Sequence, residues 1–208
     1  MRLLRRRTAR QRLTILYCAM FVVTGRLRPE LDRVDRLLDG FLMLARAQHG
    51  DLPEAAHVSL EAVTAASLAA RAGAVSARGL TVRHDPAEGG AWVHGNQALL
   101  GRMVDNVLDN AIIHNTAGGW IQIGASVRGE SAHLVVETGG DVLDQAMVDQ
   151  LVQPFRRLVA DRTGSDGGAG LGLSIVAAIA AAHHGRLNLQ ARDSGGLRVN
   201  IELPLATR

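Results

Sequence analysis

The 208-residue chain predicts a two-layer α/β sandwich. Three observations carry that expectation. Period-two apolar runs come in adjacent pairs: Trp120 to Val127 with Ala132 to Glu137, and Arg186 to Ala191 with Leu197 to Leu203. Helically spaced runs, around Arg102 to Thr116 and over Leu171 to His184, alternate with those pairs. The core must be aliphatic, because 47% of residues are hydrophobic and only 3% aromatic. No internal repeat is visible.

Taken in order, the chain opens on a basic start. Six arginines fall in the first twelve residues with no acid among them, so the remainder carries a formal net charge of −3. The high pI belongs largely to that start, which excludes a nucleic-acid-binding body on charge grounds. All 23 basic residues are Arg, whose planar fork suits pairs of phosphate oxygens. The lone Cys18 excludes an intramolecular disulfide and a thiolate metal cluster, and a reduced, cytoplasmic compartment fits.

Leu13 to Thr24 is apolar but short. As a helix it would reach about 18 Å, against a hydrocarbon core of about 30 Å. No convincing small-residue cleavage site follows. The segment is expected to lie on a surface or under a partner, with peripheral membrane contact through residues 1–24. From Pro29 to Ala47, Leu31, Val34, Leu37, Leu38, Phe41 and Leu42 form an apolar stripe opposite Asp32, Arg33, Asp35 and Arg36. A helix of this length needs a partner for its stripe, so helix–helix association in a dimer is expected.

After the Gly50–Pro53 break, His57 to Ala77 reads as an Ala-rich helix, Leu80 to His84 and Ala91 to His94 as short strands, and Asp85 to Gly90 as a turn. Gly95-Asn96 opens the next helix. Arg128-Gly129-Glu130 joins a hairpin, Asp144 to Leu151 is a short helix, Gln153 to Gly170 a loop, and Arg192 to Gly196 the last turn.

Two stretches carry chemistry. In RMVDNVLDNAIIHNT, Asn106 and Asn110 lie four apart, so both amides project from one side of a helix. Val104, Val107, Leu108, Ala111 and Ile112 supply the buried flank. Neutral amide oxygens suit a hard cation such as Mg²⁺, which also keeps water and phosphate ligands; a core helix with two solvated asparagines explains the spacing equally well. In GAGLGLSIV, glycines 168, 170 and 172 precede and open a helix. Glycine lets a backbone approach phosphate, and a helix start offers N–H groups and a positive dipole end. The spacing is neither that of a P-loop nor that of a dinucleotide fingerprint.

Taken together the stretches resemble a known family. NVLDNAIIHN at 106–115, QPFRRL at 153–158 and GAGLGLSIV at 168–176 resemble, in that order, the N, F and second glycine boxes of two-component sensor histidine kinases. VETGGDVLD at 136–144 stands where the first glycine box belongs. The resemblance implies the GHKL (Bergerat) fold, a mixed and mainly antiparallel sheet against helices, preceded by N-terminal helices. Residues 1–28 resemble the start of a membrane helix, 29–50 the second helix of a dimerisation hairpin, and 54–208 the ATP-binding catalytic domain.

The implied ligands are ATP and Mg²⁺. Asn110 would hold Mg²⁺, with Asn106 assisting directly or through water, and His114 would flank the nucleotide. Gly168, Gly170, Leu171, Gly172 and Leu173 would wrap the triphosphate under a lid at 156–167. Phe155 would anchor that lid, and Arg157 and Arg162 would be its cations. Relatives that hydrolyse ATP tend to carry Glu where Asn106 stands, so transfer to an acceptor other than water is implied.

The likeness has gaps. Thr138 aligns with the adenine-reading Asp, Gly140 keeps one glycine, Val142 replaces another, and Ile113 stands where relatives often carry Lys or Arg. Replacing a charge-assisted bond by a neutral one costs on the order of 1–2 kcal/mol, which implies weaker ATP binding. The phosphoacceptor box, H-E-[LF]-R-T-P, is absent from the sequence. The expectation is therefore a split or truncated kinase acting in trans. It would phosphorylate a His on a separate helical-hairpin protein that feeds a response regulator, and it would form a homo- or heterodimer through helix 29–48. A weak or inactive nucleotide-binding and dimerisation module is the alternative, and a GHKL protein-serine kinase a third.

Overall fold

The computed structural model describes residues 55–85, 90–154, 156 and 170–206. The expectations for 1–28, 29–50, Phe155, Arg157, Arg162 and Gly168 lie outside the described residues. Strand β1 (Ala56–Ser59) runs into helix α1 (Leu60–Ala77), followed by β2 (Thr81–Asp85) and β3 (Trp92–Gly95). Helix α2 (Gln97–Ile113), the hairpin β4 (Trp120–Arg128) and β5 (Ser131–Thr138), and the short helix α3 (Gln145–Asp149) come next. A 3₁₀ turn at 150–152, helix α4 (Gly172–Ala182) and the hairpin β6 (Arg186–Ala191) and β7 (Leu197–Pro204) complete the described chain.

The main sheet has the order β2-β4-β5-β7-β6. Its β4–β5, β5–β7 and β6–β7 contacts are antiparallel, and β2–β4 is parallel. Alternation decides which face is covered. Ile121, Ile123, Leu134, Val136, Val199 and Ile201 are buried beneath the helices. The residues between them, such as Gln122, His133, Glu137 and Asn200, face outward and form polar cross-strand neighbours. Helix α2 drives Leu100, Met103, Val104, Val107 and Leu108 into the same core, and α4 adds Ile175, Val176 and Ile179. This is the mixed, mainly antiparallel sheet against helices that the resemblance implies.

One boundary differs. The helix expected from His57 begins at Leu60, and 56–59 form a strand antiparallel to β3. Ser59 sets the start, because its side chain accepts the Ala62 N–H at 3.2 Å. The Ala-rich run after it hides a four-residue strand whose pairing partner lies more than thirty residues on.

Candidate functional site

Helix α2 lies between α1 and α4 and divides its polar residues between them. Asp105 and Asp109 face α1, where Arg71 pairs with them at 2.6 and 2.7 Å. Ser67 Oγ adds a donated bond to Asp105 at 2.8 Å. Asn106, one residue round the helix, faces α4. Its Nδ2 donates to the Arg102 carbonyl one turn back at 2.8 Å. That bond orients the amide, so Oδ1 is the group turned toward the start of α4. A methyl added at Gly172 would sit 3.6 Å from that oxygen. Asn106 and Asn110 are both half-buried; neither amide is lost in the core.

The start of α4 differs from the starts of the other described α-helices. Ser59, Asn96 and Asp144 each cap a helix by accepting an N–H three residues on. The residue before Gly172 is Leu171, which offers no side-chain cap. Its carbonyl accepts from Ile175 N–H at 2.9 Å and from Ser174 Oγ at 2.8 Å. The first-turn N–H groups have no intrahelical acceptor, an arrangement chemically suited to an anion. Gly170, at φ 71°, turns the chain into this position. Leu173 is buried and anchors the turn from below.

The structure thus brings together Asn106, Gly170, Leu171, Gly172 and Leu173. It sets His114 at the exposed C-terminal end of α2, where its backbone N–H bonds Asn110 O. The donor set fits a small hard cation that arrives with phosphate. It offers a neutral amide oxygen beside helix-start N–H groups that lack an intrahelical acceptor, and among the described residues no three His, Cys, Asp or Glu converge.

Two long-range ties hold α2 in register. Arg78 donates to the Ile113 carbonyl at 2.8 Å, satisfying the helix end. At the other end, buried His183 accepts the Asn96 N–H on Nε2 at 3.2 Å and donates from Nδ1 to Ile179 O at 2.8 Å. Both ring nitrogens are used in the neutral tautomer. Burial pushes the His183 pKa below its ordinary value, outweighing the Ile179 bond, and neighbouring His184 lowers it further. Gly95 leaves room for the ring: a Cβ there would lie 2.3 Å from His183 Cδ2.

Thr138, Gly140 and Val142 leave the end of β5. Thr138 is engaged with the next strand, its Oγ1 accepting Leu197 N–H at 3.3 Å and meeting Leu197 O at 3.5 Å. Gly140 is exposed, and Val142 is 74% exposed. The loop rests on the β6–β7 turn. Gly196 N–H donates to Asp141 O at 2.8 Å, and Arg192 donates to Thr138 O at 2.9 Å while lying over the Trp120 ring at 4.7 Å. In the sequence, 192–196 reads only as a connection. The Gly195-Gly196 pair was its one visible signal, since the contact spans more than fifty residues.

Comparisons with known proteins bear on the family and the fold. Residues 95–207 match the family profile described as histidine kinase-, DNA gyrase B-, and HSP90-like ATPase. The chain is 38% identical over 175 residues to the sensor protein CutS of Streptomyces coelicolor, covering 84% of this chain and 42% of CutS. It is 27% identical to the signal transduction histidine-protein kinase BaeS of Escherichia coli over 86% of this chain and 38% of BaeS. The chain therefore spans about two fifths of these relatives' length. Among solved structures, the histidine kinase AdeS of Acinetobacter baumannii superposes with a TM-score of 0.73 at 20% identity, covering 89% of this chain and 85% of that one. The mycobacterial sensor histidine kinase MprB gives 0.62 at 25% identity, covering 74% of this chain and 100% of that one.

Proposed function

We propose a function from the premise that this chain belongs to the histidine kinase-, DNA gyrase B-, and HSP90-like ATPase family, on its sensor histidine kinase branch. It binds Mg·ATP between α2 and the start of α4 and passes the γ-phosphoryl group to a histidine on a separate polypeptide. The observation that carries this reading is the Asn106 amide oxygen turned toward an uncapped, glycine-opened helix start.

Each group has a role in that reaction. The first-turn N–H groups of α4 and its dipole hold phosphate oxygens. Asn106 and Asn110 would hold the cation by their amide oxygens. Mg²⁺, when bound, neutralises charge on the transferring group. In the transfer, the bond from the γ-phosphorus to the bridging oxygen breaks and a bond to an imidazole nitrogen forms. ADP leaves, and the imidazole proton is released to solvent. An amide cannot take a proton from water, so Asn106 does not favour hydrolysis. His114, Gly140, Val142, Phe155, Arg157, Arg162 and Gly168 complete the proposed nucleotide contacts. A homo- or heterodimer through 29–48 and a downstream response regulator complete the phosphorelay. Among the described residues no helix is long and apolar enough to cross a membrane; residues 1–24 are proposed as a peripheral contact of a cytoplasmic protein.

Incubation with radiolabelled ATP, alone and with a histidine-bearing hairpin partner, tests the reading. Acid-labile label on the partner is expected; label on this chain alone sinks the trans reaction. One observation favours a second reading, a weak nucleotide-binding module. Thr138 is neutral and its hydroxyl is engaged by the Leu197 backbone. Failure to bind Mg·ATP at millimolar concentration would select that reading.

A further inference from the structure

We propose that His57 and His94 form a surface site for a first-row transition cation such as Zn²⁺, separate from the nucleotide site. The two residues are directly opposed across the β1–β3 ladder, and both side chains are exposed. Further along the same register, Leu60 N–H donates to Ala91 O. Hydrogen-bonded and non-hydrogen-bonded pairs alternate, so His57 and His94 occupy a non-hydrogen-bonded pair, where opposed side chains lie nearest.

Ring geometry fits a shared ion. The centroids are 5.7 Å apart and the planes cross at 83°. Two imidazoles bound to one tetrahedral Zn²⁺ at about 2.1 Å place their centroids about 5–6 Å apart. Edge-to-face packing without metal gives a similar separation, and the experiment below distinguishes the two.

The backbone beneath the pair is preorganised. Val58 and Val93, on the opposite face, are buried. Strand β1 runs into α1 at the Ser59 cap, and β3 runs into α2 at the Asn96 cap. The far edge of β3 is held by Leu205 and Ala206. The strand backbone need not move for the two rings to share an ion. Imidazole nitrogen selects Zn²⁺, Ni²⁺ or Cu²⁺ over Mg²⁺, which prefers oxygen, so the ion of the phosphate site would not compete. A bound ion would staple β1 to β3.

Zn²⁺ competition against a chromogenic chelator, on the full chain without nucleotide, tests the site. One Zn²⁺ per chain is expected. His57→Ala and His94→Ala should each weaken it at least tenfold, while His133→Ala leaves it unchanged. Zn²⁺ should raise the melting temperature of the native chain and not that of His94→Ala. No uptake at sub-millimolar Zn²⁺, or equal uptake by the double variant, overturns the site, as does displacement of Zn²⁺ by millimolar Mg²⁺. Both histidines are exposed, so the variants are expected to fold, and circular dichroism verifies it.

Discussion

Two sets of glycines border the proposed nucleotide site, and they are glycine for different reasons. In the β6–β7 turn a Cβ on Gly195 would lie 2.1 Å from Gly140 O, and one on Gly196 would lie 2.1 Å from Thr138 O. Both residues also have positive φ, 87° and 89°. The fold itself demands them. At the start of α4 the situation reverses, because among the described residues a Cβ on Gly172 would meet nothing closer than Asn106 Oδ1 at 3.6 Å. Packing would accept alanine there. A glycine that packing does not require, beside an oriented oxygen and an uncapped helix end, points to something that must approach.

The largest effect that could break this contrast is on the rigid side. Gly195→Ala sets a methyl against a backbone oxygen in a left-handed conformation, and about 3 kcal/mol or more of stability should be lost. Urea unfolding measures it, and a near-neutral result would mean the turn yields and is no platform. Asn106→Ala comes next. Phosphoryl transfer should fall on the order of 10²-fold. The fold should hold, because among the described residues the side chain's one protein bond is to Arg102 O in its own helix. Loss of stability instead of activity would make Asn106 a packing residue.

Gly172→Ala sharpens the contrast most directly, since its two readouts should diverge. Stability should stay level or rise by under about 1 kcal/mol, as alanine replaces glycine in a helix. Nucleotide affinity should fall about tenfold, equivalent to about 1.4 kcal/mol, because the methyl partly covers Asn106 Oδ1. Parallel loss of both would equate the two glycine sets.

How much of this was legible beforehand follows from contact range. Asn106 and Asn110 are four apart on one helix, and glycines 170 and 172 open another; such patterns survive in a linear string. The hairpins β4–β5 and β6–β7 were equally local. Strand β1 was not, because Ala56 to Ser59 merges with an Ala-rich helix and declares itself only by pairing with Trp92 to Gly95. The parallel β2–β4 contact and the Arg192 tie to Thr138 likewise depend on register set by the whole sheet. Nothing in the run ARDSGG distinguishes a platform from an ordinary turn.

Acid should loosen the tie between α4 and α2 before the platform. His183 joins the end of α4 to the start of α2 and is held neutral. Its folded pKa lies below the unfolded value of about 6.5, so the unfolded chain binds more protons between the two. Its contribution is complete above the unfolded value and is lost as pH falls through the folded one. The slope is at most about 1.4 kcal/mol per pH unit. Amide exchange at pH 5 against pH 7.5 should show extra opening at Asn96–Leu100 and at the end of α4, with 192–196 unchanged. Equal opening at both would sink the distinction.

His184 supplies the remaining case, a position where the backbone favours glycine and the sequence provides something else. It follows the end of α4 with φ 57°, the one non-glycine residue with positive φ among those described. Its side chain is exposed, so no packing offsets the left-handed conformation. His184→Gly removes the Cβ conflict but frees the unfolded chain, and the two partly cancel. A net gain of a few tenths to about 1 kcal/mol is expected, read as a shifted urea midpoint with an unchanged slope. Nucleotide affinity should not move, since the change lies at the far end of the helix from Gly172. A loss of stability would show that the side chain makes contacts outweighing the strain. A loss of affinity would mean that the two ends of α4 are coupled, and that the start of the helix is less autonomous than its uncapped geometry implies.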